Sequence, residues 1–189
     1  MKKAIALAMA LALLCAVGAW AQSAPLSFDQ LAGLEWSFSS GVGGWSAEMT
    51  IAPDGTFSGN YHDSEMGEIG DDYPNGTVYV CAFSGQMTLL EQVDAHSWKV
   101  RIDKLTTNEP AGQESIDEGI RYVTSEPYGV VEGDEMVLYL PGTPVEALTE
   151  DMQFWAHLNE LDEKPTALQN WFLYSTKNET GFIGYGADN

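Results

Sequence analysis

The sequence predicts a mainly β protein: an antiparallel barrel or strongly coiled sheet of about eight or nine strands with one late α-helix. Three observations predict it. Long stretches alternate apolar and polar residues with period two, and short turn-forming clusters separate them. A helical period appears only once, after Thr143. A β-sandwich is the alternative arrangement of the same strands.

Residues 34–63 carry the clearest pattern. Trp45, Ala47, Met49 and Ile51 share one face, while Ser46, Glu48 and Thr50 take the other. Pro53-Asp54-Gly55 then turns the chain, with proline presetting φ and Gly55 free to take the left-handed conformation of a bulged hairpin. Alternation resumes with Phe57, Gly59 and Tyr61 inward and Ser58, Asn60 and His62 outward. Pairing Ala52 with Thr56 sets Ile51 against Phe57, Met49 against Gly59 and Ala47 against Tyr61. A slip of one residue would put every apolar side chain on the wet face.

Residues 1–21 read as a signal peptide. Lys2 and Lys3 form a charged start, Ala4 to Gly18 an apolar run, and Ala19-Trp20-Ala21 a small-x-small cleavage site before Gln22. The expectation is an exported bacterial protein whose single domain spans residues 22–189, with no transmembrane segment. Loss of Lys2 and Lys3 leaves 6 basic residues against 28 acidic ones, a formal charge of −22. Such a field repels nucleic acid and anionic membranes and attracts cations or basic proteins. Cys81 is the one cysteine after the leader, so no internal disulfide or cysteine metal cluster is expected, and a small buried hydrophobe is.

The remaining elements follow in order. A helical turn is expected over Phe28 to Leu31, and a polar loop over Asp63 to Gly76. A long strand is expected from Thr77 to Val93, with Tyr79, Cys81, Phe83, Met87 and Leu89 on one face and Gly85 as a bend. Trp98, Val100 and Ile102 mark the next strand, and residues 106–118 a second polar loop. Ile120 to Thr124 and Met136 to Leu140 are strands. Thr143-Pro144-Val145-Glu146 has the chemistry of a helix start, and Leu148, Met152, Trp155 and Leu158 continue at helical spacing. That helix is expected to restart at Thr149 and to end near Lys164-Pro165. Leu168 to Ser175 and Gly181 to Tyr185 close the chain as aromatic strands.

Gly55-Thr56-Phe57-Ser58-Gly59-Asn60-Tyr61, preceded by Trp36, resembles the opening hairpin of the avidin and lipocalin group of calycin-type barrels. In the avidin branch the tyrosine of that glycine-x-tyrosine strand faces the ligand cavity, so the resemblance implies Tyr61 as a cavity residue. Ser37-Phe38-Ser39 departs from the polar first strand of avidins, and the acidic loop and late helix are foreign to them, so no biotin site is implied. The whole chain is also similar to uncharacterised exported proteins of Gram-positive anaerobes, a similarity that implies no activity.

Two sets of residues are candidates for function. Tyr61, Phe83, Trp98 and Trp36 would line a small-ligand cavity if the barrel is hollow, beside inward glycines such as Gly59; otherwise they are core. Asp63, Glu65, Asp71 and Asp72 are hard oxygen ligands of the type calcium takes, although their spacing is not that of an EF-hand loop. The histidines His62, His96 and His157 show no ligand spacing. No nucleophile motif, P-loop or dinucleotide fingerprint occurs, so the sequence leans away from catalysis; no cofactor is expected, and the acidic run reads as a solvated charge run with calcium as its alternative. The expected function is binding of a small apolar molecule in the barrel mouth, or of a protein on its rim. A structural or inhibitory surface protein acting through its acidic loops is the competing class, and a hydrolase ranks third.

Overall fold

The computed structural model describes residues 25–161 and 163–186. The expected signal peptide lies outside the described residues. The strands are β1 (Glu35–Ser39), β2 (Trp45–Ile51), β3 (Thr56–Glu65), β4 (Thr77–Gln92), β5 (Ser97–Thr107), β6 (Glu114–Asp117), β7 (Ile120–Thr124), β8 (Glu135–Tyr139), β9 (Trp171–Ser175) and β10 (Thr180–Tyr185), with one α-helix, α1 (Glu150–Trp155).

Eight of these strands close into an antiparallel barrel in the order β3-β2-β1-β10-β9-β8-β5-β4, and a β3–β4 pairing completes the ring. The sandwich alternative therefore does not apply. The hairpin register is the expected one, with Ile51 opposite Phe57, Met49 opposite Gly59 and Ala47 opposite Tyr61. Its turn is fixed locally. Asp54 Oδ1 accepts from the Thr56 N–H at 3.0 Å, and Gly55 has φ +79°. Hydrogen bonds donated by the Thr56 hydroxyl and then by its N–H hold the Asp54 carboxyl below its usual range.

The inward residues form a continuous core that includes Trp36, Phe38, Phe83, Met87, Ile102, Met136, Leu138, Leu173 and Phe182. Burying each such side chain stabilises the fold by about 1.5–3 kcal/mol. Both ends are covered. A 3-10 turn over Phe28–Gln30 closes the lower end, bringing the Phe28 ring against Gly55 and burying Leu31. At the upper end Gly129 (φ +85°) lies against the Phe38 and Phe182 rings, where a side chain would not fit.

Strands β9 and β10 are dry on both faces, which explains their unbroken apolar sequence. Outside the barrel, Phe172, Tyr174 and Ile183 meet Val145, Leu148, Met152, Leu158 and Leu168. The expected long helix is here broken into three short pieces. Val145–Ala147 and Leu158–Glu160 are 3-10 turns, and α1 runs only from Glu150 to Trp155. Leu148 is extended, the Thr149 hydroxyl caps the Met152 N–H at 3.2 Å, and His157 is left-handed. The apolar spacing survives these breaks because each piece packs on the same sheet.

Other boundaries also differ from expectation. Strand β3 runs on to Glu65 because β4 pairs with it as far as Thr77, so the acidic loop is shorter than expected. Strand β5 reaches Thr107, and β6 lies inside the stretch expected to be a loop. Strand β7 adds to β4 in parallel, with Thr77 opposite Arg121, and β6 pairs with β7. These two strands extend the wall beyond the barrel, giving ten strands among the described residues. Leu168 precedes β9 and instead bonds its N–H to the Thr143 carbonyl at 2.8 Å.

Candidate functional site

The wet face of the strongest hairpin makes the principal concavity. Ser37 from β1, Glu48 and Thr50 from β2, Ser58 and Asn60 from β3, and Ala82 and Ser84 from β4 are short or medium side chains on one outer surface. Tyr185 bounds this surface on one side. On the other stands Asn108, fastened by its N–H to the Ala82 carbonyl at 2.9 Å. Low residues between taller walls leave a groove of about 530 Å³. A second recess of about 380 Å³ shares Glu48, Asn60, Ala82 and Asn108 with it, so the two are continuous toward Thr124 and Ser125.

The groove mixes polar and apolar surface, and its charged side chains are acidic. Glu35, Glu48 and Glu109 line it, and among the described residues no lysine or arginine does. The Ser46 hydroxyl lies 3.2 Å from His62 Nδ1 and 3.3 Å from Glu48 Oε1. Ser46 and His62 are direct cross-strand partners, so their contact follows from register. Among the described residues His62 has no hydrogen bond at its second ring nitrogen. Buried Cys81 borders the second recess, and burial raises its thiol pKa, which keeps it protonated.

Of the sequence-predicted aromatic residues, Trp36 and Phe83 border the groove and Tyr61 borders the second recess, while Trp98 borders neither. Trp36 and Phe83 are 1 % and 2 % exposed and belong to the barrel core. They lie on strands that floor the groove, with their rings turned inward. Tyr61 lies near the upper end, its hydroxyl donating to Asp63 Oδ2 at 3.4 Å and its ring 5.9 Å from that of Tyr128. Burial, then the Asp63 charge, pushes the Tyr61 phenol up to about 12. Trp98 packs on the core from β5, away from the other three. Phe38, Trp45, Tyr128 and Trp155 pack together at the upper end, with Phe38 4.9 Å from both tryptophans and Trp45 5.2 Å from Tyr128.

Among the described residues no three histidine, cysteine, aspartate or glutamate side chains converge as a metal site. Asp63 is engaged by Tyr61, Glu65 ends β3, and Asp71 and Asp72 are exposed. Loop 66–76 is instead held by Arg121. Its guanidinium lies 4.6 Å from the Tyr73 ring centre, bonds Glu68 Oε2 at 3.0 Å and bonds Thr77 Oγ1 at 3.1 Å. The Tyr79 hydroxyl donates to the same Glu68 carboxylate at 2.9 Å.

No family model matches the chain, and neither a curated protein nor a solved structure matches it. The groove residues escaped the sequence argument because serine, threonine, asparagine and alanine on a wet face are the ordinary surface of a half-buried sheet. The signal within reach was parity: Glu48, Ser58, Asn60 and His62 all fall on one face of the surest hairpin.

Proposed function

We propose that the protein is an exported, non-enzymatic binding module that takes its partner on the outside of the barrel, in the groove across β1 to β4. One observation carries this reading. The interior is occupied by the packed side chains from Trp36 to Phe182, while a continuous recess of about 530 Å³ opens on the outer wall. That volume is within the range of about 300–1,000 Å³ that ligand sites occupy. Serine, threonine and asparagine side chains supply donors and acceptors there, and the short side chains let a ligand backbone approach.

The test is amide chemical-shift mapping against panels of peptides and saccharides, with Ser58→Trp as a variant that fills the groove. A ligand that moves Ser37, Glu48, Asn60 and Ala82 and is lost in Ser58→Trp supports the reading. A ligand that instead moves core residues remote from the groove, such as Ile102, Leu138 and Phe182, overturns it. Export is tested separately, by N-terminal sequencing of the secreted chain, which should begin at Gln22.

A structural or inhibitory role through the acidic loops is favoured by one observation, the Arg121 network that gives loop 66–76 a defined shape. It requires partner binding to depend on Asp71 and Asp72 rather than on Glu48.

A further inference from the structure

We infer that the groove accepts an extended peptide segment rich in lysine or arginine; this rests on the reading of the groove as the binding surface. Charge is the first argument. Glu35, Glu48 and Glu109 line the groove, and among the described residues no basic side chain joins them in its lining. Among the described residues none of the three takes part in an ion pair. The full chain carries 28 acidic residues against 8 basic ones, so the long-range field also draws a cationic partner.

Shape is the second argument. Ser37, Ser58 and Asn60 lie in the groove, so an extended chain can rest close to the sheet and hydrogen-bond to their side chains. Spacing is the third. Glu35 pairs with Thr50 and Ser37 with Glu48, which makes Glu35 and Glu48 diagonal neighbours on one face. Such neighbours stand about 7–8 Å apart. Alternate side chains of an extended peptide are about 6.6 Å apart. Cations at every second position therefore match the two carboxylates. A polyamine has similar charges but no peptide backbone to meet the serine and asparagine side chains.

The experiment titrates the full chain with a hexapeptide of alternating lysine and serine at about 150 mM salt, where exposed charges are screened beyond about 8 Å. The expected result is that amide shifts concentrate on the groove. Glu35→Gln/Glu48→Gln should weaken binding about tenfold, as two partly screened ion pairs would. Asp71→Asn/Asp72→Asn removes the same formal charge from loop 66–76 and should change affinity less than about twofold. Equal losses in the two double variants would overturn the inference, because the peptide would then follow net charge alone. So would spermine binding in the groove as tightly as the hexapeptide. An asparagine–serine hexapeptide that moves the groove amides and is lost in Ser58→Trp, while the lysine–serine peptide does not bind there, would remove the charge inference and leave the groove standing. If no peptide or saccharide moves the groove amides, the inference and the functional reading fall together.

Discussion

The Phe83 ring stands where a Gly59 side chain would be: a Cβ built on Gly59 would lie 2.6 Å from Phe83 Cζ, and the two residues are direct cross-strand partners. The same relationship recurs at Phe57 over Gly85 and at Trp36 over Gly184, again between direct partners. Inward glycines in this barrel are seats for aromatic rings. The hollow that such glycines could have left is filled from across the sheet.

Gly59→Ala should therefore overpack the wall. The added methyl also meets the Glu48 carbonyl oxygen, at 2.2 Å before any relaxation. A cost of about 1–3 kcal/mol is expected from denaturant unfolding. Ser58→Ala, one residue away on the wet face, should stay within about 0.5 kcal/mol of the parent. Equal effects at the two positions would contradict the packing described.

Phe57 and Tyr61 share a strand face but occupy different surroundings. Phe57 is 3 % exposed among core residues, and Tyr61 is half-buried near the upper end. Phe57→Ala should cost about 3–5 kcal/mol and Tyr61→Ala only about 1–2 kcal/mol. Asn60→Ala should be nearly neutral in stability, and a loss as large as that of Phe57→Ala would place the strand one residue out of register.

Arg121 is the cation that fixes loop 66–76 to β7. Arg121→Lys keeps the charge but loses the planar stack on Tyr73 and the fork that spans Glu68 and Thr77. Hydrogen exchange should quicken across residues 66–76 and 114–124, with a global cost of about 1 kcal/mol. Unchanged exchange in the loop would show that Arg121 does not hold it.

Alkaline stability should carry a signature of Tyr61. An unfolded tyrosine ionises near pH 10, whereas Tyr61 in the fold does so at about 12. Between these values the folded chain keeps a proton that the unfolded chain has released. The contribution is thus fully present below about pH 10 and is lost as pH rises toward 12. Tyr174, raised by burial and its hydrogen bond to Asp151, acts in the same direction. Urea midpoints between about pH 10 and 11 should fall less steeply in Tyr61→Phe than in the parent. An identical slope would contradict the assignment.

How much of this was legible in the sequence depends on what each segment packs against. The β2–β3 hairpin was readable to the residue because Pro53-Asp54-Gly55 fixes the turn and one face is apolar throughout. Strand β6 was not, since all four of its residues are exposed and nothing makes them alternate. The parallel placing of β7 depends on long-range closure, which local pattern does not encode. The broken helix has a related cause. Leu148, Met152 and Leu158 keep a helical spacing while the backbone breaks between them to follow the outer face of β9 and β10. The aromatic residues singled out in the sequence lie on β1, β3, β4 and β5, and the recess opens beside the small polar residues of β1 to β4.

The interior of the barrel is packed solid with side chains. Xenon, which enters dry apolar cavities, tests this most directly when the tryptophan indole N–H resonances are followed under gas pressure. Trp36 is the reporter, since its Nε1 is buried in the core without a hydrogen-bond partner. The packing described predicts no saturable xenon shift at Trp36 and none at the ring protons of Phe83. A saturable shift at both would show a hollow interior and contradict the account.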